Sequence, residues 1–400
     1  MFGLGKTRTK ALYGAVFDIG SESVGIAIIE SVPGEKYPTI LFSHRVHMRI
    51  TKREQPTNER IRVMKEALFS ASLIISRDGL EALRLHNKHA HVEKILVSCS
   101  APWSYTISRS VSYHGEDDVK ITRDLIEDLV ASAESEIQKQ LDAGSAPTEL
   151  TYEIVERATI DVRVNDYLVR NPIGLKGKEV SLAHVTGLIP REVISALHEV
   201  EEKIFPQTEL RAHTFMLVMY CVLREIYTDH ASMTIVHVTG DTTEFGIVEG
   251  DTLVESVSAP VGLESIVRNM MSNDRDTAEE MYSILKLYHK NELTPEIRST
   301  VEKHLGAYTE SLKQAVMSHA VTRRFPKTAF ILAPSPFTAL FREVLEPVLR
   351  KDLEITGELL SMDDHEELGS TPSHDEEDTN LAITSRFFHK LHGCGEIDAK

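Results

Sequence analysis

The chain has 400 residues, 42% of them apolar, and a formal charge of -17 at pH 7. That length predicts two lobes with ample core for both. The acidic balance argues against nucleic acid as a partner, which needs a basic surface, and gives no long-range pull toward anionic lipid.

Residues 11 to 30, ALYGAVFDIGSESVGIAIIE, read as a strand ending at Asp18, a Gly20-Ser21 turn, and a second strand with Val24, Ile26 and Ile28 alternating. Apolar residues at helical spacing follow at Ile61, Met64, Leu68 and Leu73, and KILVSCS from Lys94 predicts a buried strand. These place a mixed α/β first lobe over residues 1–104. Trp103 is expected as an ordinary half-buried aromatic or as a surface anchor. A more polar block over 105–205 predicts a strand, a helix from Thr122 to Leu141, a turn at 144–147, two strands around 152–169, a strand near 180–186 and a helix opened by Pro190. It reads as a small α+β insert. The chain then returns to the first lobe over 206–230, with a helix predicted from Ala212 to Tyr227. The longest apolar run, 215 to 223, is too short to span a bilayer.

IVHVTGDTTEFGIVEG, residues 235 to 250, is a second hairpin, with strands expected at 233–239, 244–249 and 252–258. Residues 262–320 are helical by periodicity, and KTAFILAPSP gives a strand stopped by Pro334, completing a second lobe over 231–361. The acidic stretch 362–380 predicts a mobile loop, and 381–400 holds a last helix, Leu381 to Leu391. Cys99, Cys221 and Cys394 are too few and too far apart for a disulfide framework, which fits a reducing compartment. The 18 histidines show no paired spacing joined to a third ligand, so no metal site is expected. With no signal-type core after the basic N-terminus, the expectation is a cytoplasmic protein.

Two glycine-turn hairpins, one opening each lobe, suggest phosphate loops facing one another across a cleft. The candidate nucleotide or phosphate contacts are Asp18, Gly20, Ser21 and Ser23 on one side and Gly240, Asp241, Thr242 and Thr243 on the other. In this design the sequence resembles the actin-like ATPases, with Hsp70 and the sugar kinases as cousins. Within them it is most similar to FtsA: NPIGLKGKEVSLAHVTG, 171 to 187, resembles a segment of the inserted 1C (SHS2) subdomain, and VESVSAPVGLESI, 254 to 266, the strand and Gly turn after the second phosphate loop. The resemblance implies a two-lobed α/β actin-like ATPase fold with a 1C-like insert, and a cell-division scaffold that polymerises and links divisome proteins such as FtsZ to the inner membrane face at the septum. A PilM-like adaptor of pilus or secretion assembly, which also carries such an insert, is the alternative in the same fold. An active ATPase or sugar kinase, recruiting Asp241 or Glu244, is the alternative from another class.

The departures from the family pattern bear on mechanism. Ser23 stands where the first loop usually has Lys, His237 where the second has its leading Asp, and Ala333-Pro334-Ser335-Pro336 where the adenosine loop has a Gly pair. Asp241 would repel a triphosphate, His237 does not suit magnesium, and Pro removes an amide donor. The expectation is a pseudo-ATPase without catalytic residues that binds ATP and Mg weakly or not at all. The 2B region, which grips FtsZ in FtsA, is here reduced to helical sequence, so that contact is not expected to carry over unchanged. The last helix carries Leu381, Phe387, Phe388 and Leu391 beside Arg386 and Lys390; it is expected either to pack on the lobe or to lie on a bilayer.

Overall fold

The structure, a computed structural model, describes residues 10–51, 56–142, 150–273, 275–320, 324–361 and 378–393. The turn expected at 144–147 and most of the acidic stretch 362–380 lie outside these residues.

Apolar alternation makes β1 (Leu12–Ile19) and β2 (Ser23–Ser31) an antiparallel pair, with Asp18 opposite Gly25. β3 (Thr39–His47) joins the free edge of β2. Helix α1 (Thr57–Ile74) runs through a π turn into α2 (Leu80–His86), and β4 (Lys94–Cys99) lies parallel to β1. Next come β5 (Tyr105–Lys120), α3 (Arg123–Asp142), β6 (Tyr152–Val164), β7 (Tyr167–Leu168), β8 (Lys176–Pro190) and α4 (Arg191–Ile204). These four strands form their own sheet in the order β5-β8-β6-β7, with α3 packed across β5 and β8.

The return segment departs from the sequence expectation. Residues 212 to 214 are not helical: β9 (Glu209–Thr214) pairs in parallel with β4, and helix α5 (Phe215–Ile226) starts only after it. A six-residue strand abutting an apolar run merges with it in a periodicity reading, and the strand is fixed by its ladder to β4, a long-range partner. The strand expected at 180–186 is likewise longer, because its register with β5 and β6 extends over 176 to 190.

The second lobe repeats the first sheet. β10 (Met233–Val238), β11 (Thr243–Glu249) and β12 (Thr252–Ala259) form a meander; α6 (Leu263–Met270), α7 (Ala278–His289) and α8 (Pro295–Ala320) follow; then β13 (Ala329–Leu332), α9 (Thr338–Lys351), β14 (Leu359–Ser361) and α10 (Thr379–Gly393). The orders β3-β2-β1-β4-β9 and β12-β11-β10-β13-β14 correspond strand for strand, each an antiparallel meander joined to parallel strands.

Between the two sheets lies a core built from α5 and α10. Leu381, Ile383, Phe387 and Phe388 are at most 4% exposed there, and Leu391 packs against the same core. The bilayer alternative for the last helix is therefore corrected: its apolar face is inside the protein. Gly14 of β1 makes the space, since a Cβ there would lie 2.3 Å from the Phe388 ring. Burying such aromatic side chains contributes about 1.5–3 kcal/mol each. Among the described residues no helix is long and apolar enough to cross a membrane.

Candidate functional site

The β1–β2 turn and the β10–β11 turn project from neighbouring sheet ends and touch. Ser21 Oγ donates to Thr239 Oγ1 at 3.2 Å and accepts from the Asp241 amide at 3.0 Å, while Glu22 Oε2 accepts from the Gly240 amide at 2.9 Å. The Gly240 and Asp241 amides, which could wrap a phosphate, are thus satisfied by a carboxylate and a hydroxyl of the opposite loop. A Cβ on Gly240 would lie 2.9 Å from both Ser21 Oγ and Glu22 Cβ, so glycine is required by the closeness of the two loops. Thr242 is turned inward, its amide donating to Thr239 Oγ1 at 3.0 Å, and Thr243 is pinned by Val261 O at 2.8 Å and the Tyr308 hydroxyl at 2.9 Å.

The turn after β4 braces both loops. Trp103 Nε1 donates to Gly20 O at 2.8 Å, and Ala101 O accepts from Thr242 Oγ1 at 3.2 Å. Trp103 is 2% exposed, more deeply buried than its sequence context suggests, because it forms the floor of the first loop. Helix α6 cannot present its first amides to a ligand either: Leu263 N donates to Thr239 O at 2.9 Å and Glu264 N to Gly240 O at 2.7 Å.

Asp18, next to last in β1, is fully buried. Arg45, from β3, reaches it at 2.6 Å, binds Ser23 Oγ at 2.8 Å, and grips Asp378 through Nε at 2.6 Å and Nη2 at 2.9 Å. Ser98 Oγ also donates to Asp18, at 3.1 Å. Burial pushes the Asp18 carboxyl up against the pull of Arg45. Arg45 stays a guanidinium because the two carboxylates outweigh its own desolvation. In the second loop Asp241 is held by Arg60 at 2.9 Å and Arg268 at 2.5 Å. His237 faces Glu244 across the hairpin, Nδ1 to Oε2 at 3.6 Å. Burial, then the neighbouring Asp241 and Glu22, raise the Glu264 carboxyl to about 9.

Of the eight sequence candidates, Ser21 meets Asp241 directly, Asp18 and Ser23 share Arg45, and Gly20, Gly240, Thr242 and Thr243 are held by other groups at and around the two loops; the side chains that hold these residues, Glu22, Arg45, Arg60, Trp103, Arg268 and Asp378, were not among the candidates. Arg45 and Asp378 reach the site from sequence-distant elements and leave no local pattern; Glu22 had a signal, as the acidic residue inside a turn otherwise made of Gly and Ser. The space left between Ser21, Trp103, Asp241 and Glu264 holds about 30 Å³, room for a water or two. A magnesium triphosphate does not fit this arrangement as it stands: the Gly240 and Asp241 amides are taken, and Arg45 occupies one face of Asp18. Among the described residues no group of three His, Cys, Asp or Glu side chains is placed to hold a metal ion.

No protein-family model matches the sequence, and no curated protein matches it. Among solved structures, the PilM-PilN type IV pilus biogenesis complex aligns with 95% of this chain and 96% of that one, at 11% identity and a TM-score of 0.55. A Bacteroides thetaiotaomicron protein with an actin-like ATPase fold aligns over 90% and 94%, at 11% identity and a TM-score of 0.40. The ethanolamine utilization protein EutJ from Carboxydothermus hydrogenoformans aligns over 94% and 89%, at 11% identity and a TM-score of 0.42. The twin meander sheets meeting at paired glycine turns, with the likeness to PilM along nearly the whole chain, give this protein the actin-like ATPase fold.

Proposed function

We propose that this protein is a non-hydrolysing adaptor that uses the actin-like fold as a rigid scaffold for protein partners. The observation that carries the reading is the saturation of the Gly240 and Asp241 amides by Glu22 and Ser21. Phosphoryl transfer is almost entirely positioning and charge stabilisation, and here both the donors and the carboxylate that would position phosphate and metal are engaged within the chain. The clasp also ties the two lobes together. A scaffold gains from this rigidity, whereas an ATPase cycle needs the cleft to open.

A role for this chain as a PilM-like adaptor of pilus or secretion assembly is supported by the alignment over 95% of the chain with a structure of the PilM-PilN type IV pilus biogenesis complex. The FtsA-like division scaffold is the second reading, supported by the sequence resemblance over 171–187. The buried apolar face of α10 withdraws the membrane helix that reading would use. Phosphate release from Mg-ATP is expected at background; release that depends on Asp18 would overturn the adaptor reading. Binding of the N-terminal peptide of a PilN-type protein, and not of an FtsZ tail peptide, would favour the first role.

A further inference from the structure

Beyond the clasp, on the other side of Glu264, the lobes enclose a groove of about 1240 Å³, larger than the ~300–1,000 Å³ of small-molecule sites. One wall is α1 with the end of β3, the other the α6–α7 region; Met48, Val63, Met271, Ala278 and Tyr282 give it an apolar surface. Among the described lining residues six acidic side chains stand against three arginines; Arg62 pairs with Glu59 and Glu66 at 2.5 Å each, and with Glu264 held toward its neutral form Glu22, Asp276 and Glu279 remain against Arg49 and Arg275. The groove therefore repels anions and favours a cation.

Glu264 lies at its base. It is 5% exposed, and one oxygen accepts from Arg268 at 3.2 Å. Its other oxygen, Oε1, has no hydrogen-bond partner among the described residues. A buried carboxyl oxygen without a donor is costly and is relieved by any donor that reaches it. Burial first, and then the nearby Asp241 and Glu22, hold Glu264 toward its protonated form; a cation drawn to this end of the groove would offset the repulsion from those two carboxylates.

We infer that this groove docks an apolar segment of a partner protein, with one lysine or arginine set against the Glu264 end of the groove. The inference rests on the adaptor reading and names the partner chemistry for it. Thioether and aromatic walls accommodate the stem of such a side chain and its apolar neighbours, and a desolvated charge pair ringed by apolar contacts is the usual anatomy of a binding hot spot.

The test is selection of random dodecapeptides displayed on phage against the full chain. Selected peptides are expected to carry one basic residue flanked by apolar ones. Their synthetic versions should lose affinity by roughly tenfold or more on Glu264→Gln, and likewise when norleucine replaces the basic residue. Tyr282→Ala should weaken them, and Leu73→Ser, on the outer face of α1, should not. Unchanged thermal unfolding of Glu264→Gln separates lost binding from lost fold. Failure to enrich peptides, enriched peptides without a basic residue, undiminished binding to Glu264→Gln, or competition by n-butylamine at the peptide's own concentration would each overturn the inference. Mg-ATP binding in the same preparation would instead overturn the adaptor reading, and would leave the Glu264 dependence of the peptides as its own result.

Discussion

The two hairpins share a frame and differ in their charges. β1 pairs with β2 and runs parallel to β4; β10 pairs with β11 and runs parallel to β13. At the end of the first strand, however, Asp18 faces Gly25 in one lobe and His237 faces Glu244 in the other. Gly25 leaves the space that Arg45 fills, since a Cβ there would lie 2.5 Å from Arg45 Nη2. The first loop is thus neutralised by a cation from β3, while in the second the carboxylate sits on the returning strand beside a histidine. Apolar alternation fixes the strands whatever stands at their tips, so tip charges can be redistributed without altering the fold.

The largest effect that would break this comparison is expected from Phe388→Ala. It removes the α10 ring from above Gly14 on the first hairpin and should cost about 3–5 kcal/mol in denaturant unfolding. A bilayer role for α10 would instead leave stability unchanged and weaken vesicle binding. Arg45→Met strands the buried Asp18 and the nearby Asp378 without their cation, and about 3 kcal/mol should be lost. The counterpart in the second hairpin, His237→Gln, should cost about 1 kcal/mol, because His237 Nδ1 makes no hydrogen bond among the described residues. Equal losses at the two positions would show that the hairpins are electrostatically alike after all.

Glu22→Ala comes next, at about 1–3 kcal/mol for a buried donor left unpaired, with faster hydrogen exchange at the Gly240 amide as the specific readout. Acid sensitivity should arise outside the hairpins. Burial, followed by Lys94 and Arg211, lowers His392 to about 4, and burial lowers His184 in the same direction. The unfolded chain, with histidines near 6.5, therefore binds more protons than the native one below that pH. Stability is complete above 6.5 and falls as pH drops toward 4. Asp18 works in the opposite sense, since a raised carboxyl favours the native state as pH falls. Unfolding midpoints of His392→Gln should be flatter than wild type between pH 6.5 and 4; a loss that tracks Asp18 variants instead would place the acid response in the first hairpin.

Both hairpins, the helix at 122–141 and the helical stretch after 262 were legible in the sequence because each is set by local periodicity and turn chemistry. β9 was not, because Leu210, Ala212 and Thr214 give three alternations before the Phe215–Leu223 run, and what makes them a strand is β4. The contact between Ser21 and the second loop follows the sequence reading of two facing turns, and Ser23 and His237 were visible as departures from the pattern the sequence resembles. Arg45 and Asp378 were not. Arg45 is one basic residue among several in β3 and the segment after it, and Asp378 is one acid among many between 362 and 380; only the pairing of β2 with β3 and the docking of α10 bring them to Asp18.

The central claim, that the chain's own side chains hold the phosphate loops, is tested most directly by calorimetric titration with Mg-ATP of the wild type and of the Asp18→Ala variant. The account predicts no binding heat in either. Micromolar binding by the wild type that disappears in Asp18→Ala would contradict it, and would show that Glu22 and Arg45 yield their places to the nucleotide.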